Sequence, residues 1–234
     1  MKIKELIYEA YETENNHVYN IETVNRLITE IIARCQPFLK ALSYKAHDKQ
    51  LYRGIGSIPP PSLLTPTGEL RTYPGHNPHR SPSNTPKAVH TEINHIFTRM
   101  FQFPFRNGTF VTHNIHIAET YGMVVTVLPI GDFHFLWSPY VDDLFGNWDE
   151  FESDELFKSK TTGTPRPTNE VIQNKYLDII ESNQLQYRTT NLLDAVDSGN
   201  EIMIYCDRCI VLPTENSTVK DALVQIQQNH GNKI

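Results

Sequence analysis

Three residues that lie far apart in the chain have side chains suited to chemistry on a nucleotide. They are Arg53, Thr112 and Glu201. An arginine guanidinium binds phosphate oxygens through two parallel hydrogen bonds. A hydroxyl can fix the geometry of a bound group, and a carboxylate stabilises positive charge that develops on a sugar. The set therefore predicts an enzyme with a nucleotide-binding cleft.

Each of the three residues also has an ordinary structural interpretation. An arginine beside a glycine at a strand end, such as Arg53 before Gly54, is commonly a surface ion-pair partner. Threonine is simply a good strand former. A glutamate before an apolar strand is often a solvated edge residue. The order along the chain favours the functional interpretation, because a cation on a first strand is followed by a hydroxyl and then by a late carboxylate.

The segments around these residues resemble the Arg-Ser-Glu class of ADP-ribosyltransferases, over residues 50–213. In that family the first-strand arginine follows apolar or aromatic residues and precedes a glycine, as in Leu51-Tyr52-Arg53-Gly54. The second strand ends in a triplet similar to Ser-Thr-Ser and leads into a helix, as Thr112-His113-Asn114 leads into residues 117–122. The late strand carries the catalytic glutamate, which matches Glu201 before Ile202.

The resemblance implies a fold, a reaction and a set of site residues. The fold would be α+β, with a split, mostly antiparallel β-sheet around an NAD cleft and a helical pair at the N-terminus. The reaction would transfer ADP-ribose from NAD, the substrate, to a macromolecular acceptor, either protein or nucleic acid, with release of nicotinamide. Glu201 would be the catalytic residue, and the NAD-binding residues would be Arg53, Gly54, Thr112, His113, Asn114 and Tyr121.

Two departures from the family pattern concern the acceptor and the hydroxyl. Thr112 stands where the family has the leading serine, which is a mild chemical change. Gly199 lies two residues before Glu201, where arginine-modifying members carry Glu or Gln. That acid or amide helps to position the acceptor, so its absence argues against arginine modification and leaves the acceptor open.

The hydrophobic pattern predicts the elements that must hold these residues. Apolar positions at helical spacing predict helices over 1–12 and 21–36, with Pro37 limiting the second, and hence an N-terminal helical segment 1–42 before a domain 43–234. A helix is predicted to start at Thr85-Pro86 and run to Met100. Further helices are predicted over 170–181 and 218–228, and strands over 109–112, 123–129, 133–137, 201–205 and 209–212. The proline-rich segment 57–86 and the acidic segment 139–168 are predicted to be long loops.

The two predicted loops are candidates for choosing the acceptor, since functional residues gather on loops over a rigid scaffold. The first is mildly basic, with Arg71, His76, His79 and Arg80, and would meet an anionic acceptor. The net charge of −6 disfavours a general nucleic-acid coat but allows such a local patch.

The composition sets the class of protein. The 234 residues suffice for one large domain or two small ones, and the hydrophobic fraction of 39% fits a soluble protein. No apolar run approaches the ~20 residues of a membrane helix, so no membrane partner is expected. Three cysteines, an odd number, favour a reducing compartment and hence the cytoplasm. The helical leader and proline-rich insert also resemble uncharacterised bacteriophage proteins, for which the compartment would be the host cytoplasm.

Other kinds of site are weaker interpretations of the sequence. Cys206-Asp207-Arg208-Cys209 has metal-type spacing, but no second cysteine pair supplies four zinc ligands, and a tight hairpin turn between two strands is favoured. No metal is therefore predicted. The sequence contains no phosphate-loop, dinucleotide-fingerprint or nucleophile-elbow motif. Two alternatives stay open: a non-catalytic scaffold of the same fold, and a viral structural or host-interaction protein with a fortuitous triad.

Overall fold

The computed structural model of the protein describes residues 21–43, 49–56, 69–80 and 85–213. Its α-helices are α1 (Ile21–Arg34), α2 (Gln36–Ser43), α3 (Lys87–Phe101), α4 (Ile115–Glu119), α5 (Leu144–Thr162), α6 (Asn169–Glu181) and α7 (Leu192–Ser198). A 3-10 turn spans Phe105–Asn107. The strands are β1 (Tyr52–Ile55), β2 (Tyr73–Pro74), β3 (Thr109–Val111), β4 (Met123–Pro129), β5 (Phe133–Trp137), β6 (Ile202–Cys206) and β7 (Arg208–Pro213). This mixture of helices and antiparallel sheet confirms the predicted α+β class.

The strands form two sheets. The four-stranded sheet has the order β1-β4-β7-β2, and all its pairs are antiparallel. Its register places Arg53 opposite Val125 and Val127 opposite Val211. The three-stranded sheet has the order β3-β6-β5.

The chain divides into two compact units, and each is built from segments that are separate in sequence. Among the described residues, unit 1 comprises those within 1–75, 111–133 and 206–234, and unit 2 comprises those within 76–110 and 134–205. The four-stranded sheet belongs to unit 1, whereas the three-stranded sheet belongs to unit 2 except for one end residue of each strand. The predicted division into 1–42 and 43–234 stays a prediction.

The core of unit 2 is organised around α3, as the helical spacing of its apolar residues predicts. The helix begins at Lys87 with Pro86 at the N-cap position and ends where Gln102 adopts a left-handed conformation. One face buries four apolar side chains: Val89, Ile93, Ile96 and Phe97. They belong to the same buried cluster as Ile172, Tyr176 and Ile180 of α6. The ring of Phe97 also meets Tyr187 edge-on, at 5.0 Å between centroids.

The predicted loop over 139–168 is wrong, because most of it is helix α5. The Asp143 carboxylate caps the helix by accepting a hydrogen bond from the backbone N–H of Phe145 at 2.8 Å. Gly163 ends it with φ +68°, a conformation that glycine adopts without strain. The buried residues of α5 are Leu144, Trp148 and Ser159, so a polar residue falls on the buried face and the apolar stripe is incomplete. The Asp and Gly caps were the available sequence signals.

The predicted hairpin around Asp207-Arg208 is also wrong. β6 lies between β3 and β5, and β7 lies between β4 and β2. Both edges of each strand are therefore already paired, so β6 and β7 do not pair with each other. Asp207 instead connects a strand of the three-stranded sheet to a strand of the four-stranded sheet.

Other predicted elements are confirmed in part or lie outside the described residues. The predicted helix 21–36 appears as α1 and α2, which are separated at Cys35, with Pro37 in the first turn of α2. Within the predicted loop 57–86, β2 pairs with β7, so this loop is not wholly irregular. The predicted helices 1–12 and 218–228 lie outside the described residues. In the described ranges, no helix has the length and apolar character needed to cross a membrane.

Candidate functional site

Glu201 lies immediately before β6, at the N-terminal end of α5. Its backbone N–H donates to the carbonyl of Asp142 at 2.8 Å, which ties it to the residues that start that helix. Part of the residue reaches the surface. Its carboxyl oxygen Oε1, however, is buried and has no hydrogen-bond partner among the described residues. A carboxyl in this state is either a source of instability or a group held ready for chemistry.

The surroundings of Glu201 keep its carboxyl close to the midpoint of its titration at neutral pH. Burial raises the pKa of Glu201 from 4.5 to about 7, and the Asp143 carboxylate acts in the same direction. Arg106, Arg80 and a hydrogen bond from the backbone of Leu144 lower it. Both protonation states are therefore populated near pH 7, which suits an acid–base or electrostatic catalyst.

Arg106 is the deeply buried cation near this carboxyl. The residue is 2% exposed and lies in the 3-10 turn Phe105–Asn107. One guanidinium nitrogen donates to Thr85 Oγ1 at 3.1 Å, and the backbone N–H donates to Asn94 Oδ1 at 2.9 Å. Its Nε is buried without a partner, and no described carboxylate forms an ion pair with it.

A second guanidinium, that of Arg80, shares an aromatic ring with Arg106. Arg80 lies 3.7 Å above the centroid of the Phe110 ring and donates to the carbonyl of Gly108 at 2.7 Å. Arg106 lies 5.1 Å from the same centroid. Cation–π contacts of this kind hold both guanidiniums in place.

His90 adds a neutral imidazole beside Arg106. Asn94 Oδ1 accepts the backbone N–H of Arg106, so its amide nitrogen must be the atom that lies 3.3 Å from His90 Nε2. Nε2 is then an acceptor, and the proton sits on Nδ1, which is buried without a partner. Burial, followed by Arg106, lowers the pKa of His90 to about 4, so the ring is neutral at pH 7.

Tyr187 completes a group that we call the polar cluster: His90, Arg106, Tyr187 and Glu201. The Tyr187 hydroxyl is buried without a partner, and burial raises its pKa well above the usual value. Glu201 raises the pKa of Tyr187 further, whereas Arg106 lowers the pKa values of both Tyr187 and Glu201. Unpartnered buried polar atoms are rare in proteins. Each of the four side chains in the polar cluster carries one such atom, and together they mark a candidate ligand site in unit 2.

The residues predicted to bind NAD lie in unit 1. Gly54 allows α4 to approach β1, because a Cβ at this position would lie 2.2 Å from the backbone oxygen of Ala118 and 2.6 Å from Cβ of Tyr121. The close approach that Gly54 permits is therefore the packing of α4 against β1. The side chain of Tyr121 is 51% exposed.

Thr112, His113 and Asn114 form the turn that leads into α4. Thr112 exchanges two backbone hydrogen bonds with Tyr52, at 2.7 and 2.9 Å, and its Oγ1 accepts from the N–H of Asn114 at 3.0 Å. The Asn114 side chain caps α4 by accepting from two backbone N–H groups. His113 Nδ1 donates to the carbonyl of Gln50 at 2.8 Å.

The structure groups five of the seven predicted residues around one helix of unit 1. Gly54, Thr112, His113, Asn114 and Tyr121 all lie around α4. Because side chains alternate along a strand, Arg53 points to the face of β1 opposite to that of Gly54. Glu201 belongs to unit 2. The roles of these residues in NAD binding stay predictions.

Comparison with protein-family models, with curated proteins and with solved structures finds no match for this chain. Function is therefore inferred from the residues of the site and their surroundings.

Sequence reasoning found Glu201 but missed the other members of the polar cluster. His90, Asn94 and Phe97 are spaced about one helical turn apart and lie on the same face of α3. Two polar residues therefore fall on its buried face. That pattern was the available signal for a buried polar site. Arg106 precedes an Asn-Gly turn and carries no comparable signal, because its burial depends on contacts with Thr85 and Asn94.

Proposed function

We propose that this protein cleaves the bond between nicotinamide and ribose in NAD and transfers ADP-ribose to a macromolecular acceptor. Glu201 is the catalytic carboxylate. The observation that carries the proposal is its buried carboxyl, whose Oε1 has no hydrogen-bond partner among the described residues and whose pKa burial raises to about 7.

The proposed chemistry requires a carboxylate in this setting. As the carbon–nitrogen bond breaks, its electron pair neutralises the nicotinamide ring nitrogen and positive charge develops on the ribose. A fixed carboxylate in a poorly solvated site stabilises that charge far more than one in water. Oε1 of Glu201 is available to accept a hydrogen bond from a ribose hydroxyl, because no described group occupies it.

The transfer is completed when an acceptor nucleophile attacks the ribose carbon and loses its proton. A carboxyl with a pKa near 7 is matched to receiving that proton at neutral pH. Gly199, two residues earlier, ends α7 in a left-handed conformation and offers no side chain to position an arginine acceptor. Arg71 and His79 in the 69–80 segment would favour an anionic acceptor.

Binding of the NAD pyrophosphate is assigned to arginine, whose fork matches phosphate oxygens. Arg53 is the residue proposed from the sequence for this role. The turn at Thr112, His113 and Asn114, together with Gly54 and Tyr121, is proposed to bind the rest of NAD. Their grouping around α4 supports this part of the proposal.

The test uses NAD labelled in its adenosine half. The purified protein is incubated with labelled NAD and a cell lysate, and label is followed separately in protein and in nucleic acid. We expect released nicotinamide and labelled acceptor with the wild type, and neither above background with Glu201→Gln. Glu181→Gln removes an exposed carboxylate of the same unit, which pairs with Arg99, and should behave as wild type. NAD binding without any turnover in the wild type would favour the non-catalytic scaffold instead.

A further inference from the structure

We propose that unit 2 contains a phosphate-binding site, formed by the guanidiniums of Arg106 and Arg80 at the N-terminus of α3. Its ligand is a doubly charged phosphate, either inorganic phosphate or the phosphate monoester of a mononucleotide. Two guanidiniums match the two negative charges of that group. The proposal goes beyond the proposed function and does not depend on it, because neither arginine has been assigned a role in NAD cleavage.

Arg106 offers hydrogen-bond donors that the described part of the chain does not use. The residue is 2% exposed, and among the described residues only Thr85 Oγ1 accepts a hydrogen bond from its guanidinium, at 3.1 Å. Its Nε is buried without a partner. A buried cation is tolerated only where an anion or a dense set of acceptors compensates it. An anion from outside the chain would supply that compensation.

Arg80 adds a second guanidinium on the same aromatic ring. Its guanidinium carbon lies 3.7 Å from the centroid of Phe110, and that of Arg106 lies 5.1 Å from the same point. Because these distances add to 8.8 Å, the two carbons can be no farther apart than that. A phosphate held between two guanidiniums spans roughly 8 Å between their carbons, given the length of its N–H···O bonds. Arg80 is partly exposed, so the pair can be reached from solvent.

The N-terminus of α3 adds positive potential at the same place. Thr85, which accepts the hydrogen bond from Arg106, directly precedes Pro86 at the N-cap of this helix. Proline has no side chain that can cap the helix, and the first turn contains no acidic residue. The N–H groups of a first helical turn carry positive partial charge and bind phosphate. A guanidinium beside such an end therefore favours an anionic ligand.

The unpartnered atoms of Arg106 and His90 are both donors, which favours an anion over a metal ion. Arg106 Nε carries a hydrogen, and so does His90 Nδ1 in the tautomer that Asn94 imposes. Asn94 also holds the backbone of Arg106, because its Oδ1 accepts that N–H at 2.9 Å. The site is thus fixed on α3 before any ligand binds. Phosphate oxygens accept hydrogen bonds from such donors, whereas a cation is repelled by the guanidiniums.

Calorimetry of the full-length protein with inorganic phosphate tests the site. We expect saturable binding in the wild type and roughly ten- to a hundredfold weaker binding in Arg106→Gln and Arg80→Gln, as for the loss of a charged hydrogen bond. Arg106→Lys should recover part of the affinity, because lysine keeps the charge but lacks the fork. Arg99→Gln removes an exposed arginine farther along α3 and should bind as the wild type does.

Two calorimetric results would overturn the proposal. One is the absence of saturable phosphate binding in the wild type. The other is equal affinity in the wild type and in folded Arg80→Gln, which replaces the less buried of the two arginines.

Nucleotide probes identify the source of the phosphate. AMP carries a monoester, adenosine carries no phosphate, and NAD carries only diester phosphates. AMP binding that inorganic phosphate displaces would assign the site to mononucleotides, whereas phosphate binding without such AMP binding would assign it to the free ion. Arg106→Gln should leave NAD affinity unchanged. Equal losses of AMP and NAD affinity in Arg106→Gln would place the NAD pyrophosphate here and overturn the assignment to a doubly charged phosphate.

A measurement on the unaltered protein covers the case in which Arg106→Gln does not fold. The nitrogen-15 resonance of Arg106 Nε should shift as phosphate is added, with the dissociation constant that calorimetry gives. An Nε resonance that does not respond to saturating phosphate would overturn the proposal. None of these measurements needs an enzymatic assay, so a wild type that does not cleave NAD would refute the proposed function and leave the phosphate site standing.

Discussion

The backbone N–H of Glu201 donates a hydrogen bond of 2.8 Å to the carbonyl of Asp142, and this contact joins the start of β6 to the start of α5. It holds the Glu201 carboxyl beside the first N–H groups of α5, one of which, that of Leu144, stabilises its charged form. Backbone atoms thus fix the position of the proposed catalytic group, while its Oε1 keeps its hydrogen-bonding capacity.

Glu201→Gln should reduce NAD cleavage by about two to three orders of magnitude, the usual effect of removing a main electrostatic contributor. The amide has the same shape but cannot stabilise positive charge on the ribose. Initial rates of nicotinamide release measure the effect, and circular dichroism checks that the fold is retained. Wild-type rates in the folded variant would remove Glu201 from the catalytic role.

The pH dependence of stability should reveal the buried state of Glu201. Its pKa is about 7 in the folded protein and 4.5 in the reference state, so the folded protein binds more protons between these values. The stability that Glu201 contributes is therefore complete below pH 4.5 and is lost as pH rises toward 7. At about 1.4 kcal/mol per pKa unit, the change is on the order of 3–4 kcal/mol.

Urea unfolding at pH 5 and pH 8 tests this sign. Glu201→Gln carries no charge to bury, so it should be more stable than the wild type at pH 8, with the advantage shrinking toward pH 5. The idea fails if the difference between the two proteins is the same at both pH values.

His90 should have the opposite pH dependence. Its folded pKa is about 4, against 6.5 in the reference state, so its contribution is present above pH 6.5 and is lost as pH falls toward 4. His90→Gln should therefore lose less stability than the wild type between pH 6.5 and pH 4. Exposed His95, which lies on the same helix beside Glu92, provides the control His95→Gln. Parallel curves for all three proteins would show that His90 is not buried in its neutral form.

Arg53→Lys should weaken NAD binding, because lysine keeps the charge but loses the planar fork that binds phosphate. Isothermal calorimetry with NAD measures the change. Arg34→Lys makes the same replacement at an arginine of α1 that pairs with Glu30, and it should not alter the affinity. Equal affinities for Arg53→Lys and wild type would exclude Arg53 from the NAD site.

Gly54→Ala should destabilise the protein by about 1–3 kcal/mol, the usual cost of overpacking. The new Cβ would lie 2.2 Å from the backbone oxygen of Ala118, and a backbone atom cannot swing aside as a flexible side chain can. Gly56→Ala is a close control, because a Cβ there meets nothing within 4 Å. Equal unfolding midpoints for the two variants would contradict the packing of α4 on β1.

The elements that sequence predicted well are those in which local pattern and tertiary packing agree. α3 was predictable because the apolar residues that form its stripe are the ones buried in unit 2. β4 was predictable because six of its residues, from Val124 to Pro129, are buried in an unbroken run. α5 was not, because acidic residues alternate with its apolar ones and its caps are the main local signals.

The polar cluster was only partly predictable, and the reason is physical. Glu201 is recognisable as an acid at the start of an apolar run, but its neighbours in the sequence do not indicate that it is buried. Arg106 is held by residues 12 and 21 positions away. Its depth in the protein is set by the packing of Phe110 and α3. Contacts between residues so far apart produce no periodic pattern in the sequence.

The interleaving of the two units bears on how the protein is made. β4 is complete at residue 129, but β7, which covers one of its edges, begins only at residue 208. During synthesis that edge of β4 stays unpaired until 79 further residues, from 129 to 208, have been added. At the usual rate of translation this takes roughly 4–16 s. An apolar strand with an open edge is a template for pairing with other chains. Chaperone protection of the nascent chain in this interval would therefore guard against such pairing.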